Sequence, residues 1–168
     1  MEHVFAFLVC MFIVVVFGLF SIFAIRNMYV SQSSFLQEEA ILAFRQFLES
    51  PLNETKRPPT IGIAVEGHPY VINMSAVCRL KEAVLKTERD YNANKTGLIS
   101  SDDDFRIILY NGTNYIILGK NMTRSRIASV NGYAFCLHNQ PSDEKCRSYY
   151  QFCPPNGNVT VQVIATGD

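Results

Sequence analysis

The sequence predicts an α+β chain. A long N-terminal α-helix, its apolar half embedded in a membrane or a filament, precedes an antiparallel β-sheet domain with one short packed helix. Three observations carry this. From Glu2 to Ser50 there is no proline, and the only glycine is Gly18. The first half of that stretch is uniformly apolar, and the second half is apolar at helical spacing. Beyond Pro51 the apolar residues fall in short runs separated by Asn-Gly pairs, prolines and polar clusters. The 168 residues divide into a helix over 1–50 and a domain over 51–168.

Val4 to Ile25 is 22 residues, roughly 33 Å of helix and enough to cross a bilayer core. A cleaved signal has a shorter apolar region, about 7–15 residues, behind a basic leader. Here only Met1-Glu2-His3 stands in front, so 4–25 reads as a transmembrane or filament-core segment. Arg26 lies on the outer side of the run, against the positive-inside tendency, which a basic leader ahead of Met1 would resolve. The helix continues past a weak stretch at Ser31-Gln-Ser-Ser. Phe35, Leu36, Ala40, Ile41, Ala43, Phe44, Phe47 and Leu48 form a stripe opposite Gln37, Glu38, Glu39, Arg45 and Gln46. Pro51 ends it.

The body follows in order. A polar connector, Asn53 to Thr60, leads to a strand at Ile61–Val65. Ser75 to about Arg89 reads as one helix with Val77, Leu80 and Val84 on a face. Phe105–Tyr110 and Asn114–Leu118 flank Asn111-Gly112, a hairpin signal. A second Asn-Gly pair, Asn131-Gly132, separates Arg126–Val130 from Tyr133–Leu137. Asn158–Thr166 alternates through Val159, Val161 and Val163 as the last strand. The expected sheet has four to six antiparallel strands, with the upper half of the first helix laid on it. Cys136 to Cys153 reads as a loop.

Cys10 lies in the apolar run, leaving Cys78, Cys136, Cys146 and Cys153 for two disulfides with three possible connectivities. The pattern favours Cys78 pairing outside its own helix and two of the other three joining locally. Zinc is the weaker reading, because no Cys-x-x-Cys pair is present and His138 is the only nearby imidazole. Six N-glycosylation triplets begin at Asn53, Asn73, Asn94, Asn111, Asn121 and Asn158. With 12 Asn, and 20 Ser plus Thr, in 168 residues, chance gives roughly 1.4. Cysteines and triplets together point to an exported, N-glycosylated domain in an oxidising compartment.

Fifteen basic and fifteen acidic residues balance, so no basic field points to nucleic acid. No metalloprotease, nucleophile-elbow, phosphate-loop or dinucleotide motif occurs, and no cofactor is implied. Asp102-Asp103-Asp104 with Ser100 and Ser101 could hold a hard cation, but a solvated turn before Phe105 is the plainer reading. His3, His68 and His138 read as surface residues. Glu2 differs, because a carboxylate at a helix N-terminus is stabilised by the dipole. The chain reads as no enzyme.

Together these features resemble the archaeal type IV pilin-like proteins with class III signal peptides. Met1-Glu2-His3-Val4-Phe5 resembles the start of their mature helix, with Glu2 at the family glutamate. Phe47-Leu48-Glu49-Ser50-Pro51 is similar to their helix ending. Val71-Ile72-Asn73 leading to Leu80, then Asp90-Tyr91, then Asp103–Ile107, is similar to their helix-then-strand passage. Thr123–Ile127 with Asn131-Gly132 is similar to their last hairpin. No leader and no processing site stand before Met1, and four body cysteines are not a family requirement. The resemblance implies a structural subunit, major or minor, of a cell-surface filament. It would be membrane-anchored before assembly and would pack against its own copies or related subunits through Glu2, Val4, Phe5, Leu8, Phe12, Val15, Leu19 and Ile22. The runner-up reading is a single-pass membrane-anchored surface glycoprotein, cellular or viral, that binds a partner through its ectodomain.

Overall fold

Helix α1 runs from Glu2 to Glu49, as the absence of breakers requires. The computed structural model describes residues 2–100, 102–121, 126–136 and 144–167, with the side chains of 2–10 and 25–33 outside the description. The chain divides into two compact units, Met1–Phe35 and Leu36–Asp168. The body therefore begins inside α1, not at residue 51. Leu36, Ala40, Ala43, Phe44, Phe47 and Leu48 are buried in its core, each three or four residues from another of the set. Phe35 and Ile41, expected on the same stripe, are exposed.

The apolar run does not stand as a membrane span. Among the described residues, no helix is long and apolar enough to cross a membrane.

The sheet is mixed rather than antiparallel. Its six strands are β1 (Ala64–Val65), β2 (His68–Ile72), β3 (Asp104–Tyr110), β4 (Tyr115–Gly119), β5 (Arg126–Cys136) and β6 (Asn158–Gly167), in the order β1-β2-β5-β6-β3-β4. Strand β2 lies parallel to β5 through Val71↔Phe135 and Ile72↔Cys136; the other pairings are antiparallel. Of the expected strand at 61–65, only Ala64–Val65 pairs in the sheet. The segment also closes the end of α1, where Ile63 N donates to Phe47 O (2.9 Å) and Ala64 N to Ser50 O (3.1 Å). Carbonyls that a helix C-terminus leaves without partners are thereby satisfied.

The expected turn at Asn131-Gly132 is absent, and β5 passes through it without a break. Asn131 pairs with Gln162 and Gly132 with Val161. Glycine stands there for space, because a Cβ would run into the Phe44 ring. The first Asn-Gly pair does turn the chain. Asn111 Oδ1 accepts from the backbone N–H groups of Thr113 and Asn114 (2.9 and 2.7 Å), and Gly112 takes φ +95.

The single helix expected over Ser75–Arg89 is three pieces. Helix α2 (Met74–Arg79) widens into a π turn at Leu80–Val84 and stops, and α3 (Glu88–Asn94) restarts with Thr87 as its cap. Thr87 Oγ1 accepts from Asp90 N (3.1 Å) and donates to Asp90 Oδ2 (2.7 Å), so Thr87 and Asp90 act as a capping pair. The segment read as a loop is partly helical: a 3₁₀ turn at Glu144–Cys146 leads into α4 (Arg147–Tyr150). Residues 137–143 lie outside the description.

Two disulfides are present, Cys78–Cys146 and Cys136–Cys153, with Cα separations of 5.7 and 5.6 Å. Cys78 thus pairs outside its own helix, with the 3₁₀ turn. Tyr149 Oη donates to Glu82 Oε1 (2.5 Å), and the hydroxyls of Tyr150 and Ser75 meet, adding two more links between α4 and the α2 region.

Candidate functional site

The residues named from the sequence occupy three places. On α1, Phe12, Val15, Leu19 and Ile22 are exposed, at 54–70% of their surface. Phe17, Phe20 and Phe23 are exposed as well, so the apolar side chains surround the helix instead of lining one face. Ser21 interrupts them, but its hydroxyl donates to Phe17 O (2.9 Å) and is satisfied within the helix. At Gly18 an added Cβ would meet nothing within 4 Å. Glu2, Val4, Phe5 and Leu8 are helical, and their side chains lie outside the described residues, as does that of His3.

The sequon asparagines are unequal. Asn53, Asn73 and Asn111 each accept, through Oδ1, the N–H two residues on, at 3.1, 3.1 and 2.9 Å. The second of these contacts caps α2. This is the Asx-turn geometry that Asn-x-Ser/Thr sequences favour for local reasons. Asn94 and Asn111 also direct Nδ2 inward, to Val84 O (3.0 Å) and Phe152 O (2.7 Å). Asn121 and Asn158 are exposed. Met122 and Thr123, which complete the Asn121 triplet, lie outside the described residues.

The aspartate run is a solvated turn only at its start, where Asp102 is exposed. Asp104 is buried, 6% exposed, and pairs with buried Lys95 at 3.1 Å; Lys95 Nζ also donates to Asp103 O (2.7 Å). Asp103 lies against Glu39 of α1. Burial, then the hydrogen bond and charge of Asp103, raise the Glu39 carboxyl to about 7, opposed by the Ser100 N–H. Glu39 Oε2 is buried without a donor, so a proton held between two carboxyls satisfies what is otherwise acceptor against acceptor. Among the described residues no group of three or more His, Cys, Asp or Glu is placed to hold a metal. His68 is exposed, and Ser101 and His138 fall outside the description.

A Glu39 whose folded pKa lies above its unfolded value of 4.5 contributes stability that is complete below pH 4.5 and lost as pH rises through about 7. Glu39→Gln is therefore expected to melt about 3 °C above the parent at pH 8 and level with it at pH 4. That corresponds to about 1 kcal/mol once solvent screening is allowed for. Thermal melts at the two pH values check this.

The sequence reading missed the sheet face turned away from α1. Here Tyr133, Thr160, Tyr110 and Tyr115 form one row across β5, β6, β3 and β4. Asn131, Gln162, Ile108 and Ile117 form the next, and Arg106 stands in the row beyond, opposite Ile164 and Gly119. Between the rows lies a trough of about 600 Å³. Strand alternation was the available signal, since Phe105, Ile107 and Leu109 face the core and leave Arg106, Ile108 and Tyr110 on the other side. A second cleft, of about 900 Å³, lies beside the Cys78–Cys146 disulfide and is lined in part by Arg79, Lys81 and Glu82. There the Tyr149 hydroxyl is raised above its usual range by burial and by the Glu82 carboxylate.

No family model matches this chain, and no curated protein or solved structure matches it either.

Proposed function

We propose that the chain is a structural subunit of an extracellular, type IV pilus-like filament of the archaeal kind, assembling with its own copies or related subunits through the apolar N-terminal helix. The observation that carries this reading is the ring of exposed Phe, Val, Leu and Ile side chains between Met11 and Phe23. A helix apolar on every side belongs in the interior of something larger. Copies of the same helix supply that interior, with Gly18 allowing close approach. The two disulfides suit an oxidising exterior. Exposed Asn121 and Asn158 are the sequons best placed to carry glycan, and intact mass counts the glycans. The role is assembly, without turnover.

The test is filament formation by the full chain, followed by sedimentation and negative-stain microscopy. Burying a Phe is worth about 1.5–3 kcal/mol, so Phe17→Asp with Phe20→Asp is expected to weaken assembly on the order of a hundredfold or more. The melting of the body, whose core begins at Leu36, stays unchanged. Glu2→Ala is expected to impair assembly in the same way. A parent chain that stays monomeric, or a double variant that polymerises normally, refutes the reading.

A further inference from the structure

We propose that the trough on the outer sheet face binds an acidic oligosaccharide, with Arg106 pairing the sugar carboxylate and Tyr110, Tyr115 and Tyr133 supplying stacking surfaces. Over β5, β6 and β3 the floor of the trough cannot take a peptide as an added strand, because these are interior strands whose ladders use their own N–H and C=O groups. Of the strands lining the trough only β4, at the sheet edge, has an open ladder, and it faces away from the trough's centre. Whatever binds must be held by side chains.

Those side chains are of two kinds. Tyr110, Tyr115 and Tyr133 are 43, 67 and 77% exposed, which is unusual for three large rings on one face. They are also held apart in a definite way. Tyr110 and Tyr115 are direct cross-strand partners, and Tyr110 is pinned by donating its hydroxyl to Gly112 O (2.6 Å). Tyr133 stands two strands away, across Thr160, about 10 Å at the usual interstrand spacing. A pyranose ring fits between these walls, with its apolar faces toward the rings and its hydroxyls toward the floor. The floor offers Gln162, Asn131 and Thr160, which both donate and accept as sugar hydroxyls require.

Charge selects the acidic sugar. Arg106 is the one ionised side chain lining the trough among the described residues. Its Nε is buried with no acceptor among the described residues, and no described ion pair engages its guanidinium. Asp104, the acidic residue on the same side of β3, is held by Lys95. A carboxylate brought by the ligand supplies an acceptor for the terminal guanidinium nitrogens, end-on and in the planar geometry that guanidinium favours.

The test titrates the full chain with tetramers of galacturonic acid and of mannuronic acid. The fully methyl-esterified galacturonate tetramer serves as the uncharged control, and heat of binding is the readout. The parent is expected to bind at least one acid tetramer about tenfold or more tightly than the ester, the value of a hydrogen-bonded charge pair. Arg106→Gln is expected to remove that preference, and Tyr133→Ala to weaken acid and ester alike. Tyr133 is exposed enough for its truncation to leave folding intact, and a thermal melt of each variant verifies that. Failure of both acid tetramers to bind, equal binding of acid and ester, or parent-like affinity in both variants overturns the proposal.

Discussion

Lys95→Met is expected to destabilise the body by about 3–5 kcal/mol, the cost of breaking a buried ion pair by removing one member. Lys95 and Asp104 are 8 and 6% exposed, and the 3.1 Å contact between them lies at the start of β3. Lys95 sits in the 3₁₀ turn Lys95–Gly97 that ends α3. One turn earlier, the Tyr91 ring packs tilted against that of Phe105, and its hydroxyl accepts from the Phe105 backbone N–H at 2.7 Å. The lysine therefore holds the junction of α3 with the central sheet. Replacing both partners with apolar residues removes the uncompensated charge, so Lys95→Met with Asp104→Leu is expected to recover most of the loss. Urea unfolding followed by circular dichroism checks both variants, with a change in midpoint at constant slope marking a true stability effect. A single variant within about 1 kcal/mol of the parent would falsify the assigned role of this pair.

Removal of the Cys78–Cys146 disulfide is expected to cost about as much. It closes 68 residues, for which loss of unfolded-chain entropy gives about 4 kcal/mol; the 17-residue closure of Cys136–Cys153 gives about 3 kcal/mol. Cys78→Ala with Cys146→Ala is thus expected to lower the melting temperature on the order of 15 °C. The Tyr149–Glu82 and Tyr150–Ser75 contacts persist in that variant and keep α4 near α2, so the cost falls on the unfolded chain more than on the native contacts. Melting curves of the two disulfide-deleted proteins should therefore rank them by loop length. The opposite ranking would show that native contacts near one bridge dominate.

What could be read from the sequence was what depends on near neighbours. The buried stripe from Leu36 to Leu48, the turn at Asn111-Gly112 and the alternating valines of β6 are periodic or short-range signals, and each marks a real element. The failures have long-range causes. His68-Pro-Tyr lacks strand character, and β2 exists because Val71 and Ile72 find Phe135 and Cys136 more than sixty residues away. Asn131-Gly132 has turn chemistry, but its glycine makes room for Phe44 of a distant helix. The break before α3 was legible in Thr87 and Asp90 and was missed because the apolar spacing continues through it. Asp104 was misread as a surface residue because its partner, Lys95, looks like any solvated lysine until the fold brings the two together.

The order of the cysteines also governs what happens to a damaged molecule. Cys78, Cys136, Cys146 and Cys153 pair first with third and second with fourth, so the two covalent circuits overlap. A protease cut between Cys78 and Cys136 is spanned by the first bridge, one between Cys146 and Cys153 by the second, and one between Cys136 and Cys146 by both. Any single nick within that stretch leaves the fragments joined until a reductant reaches them.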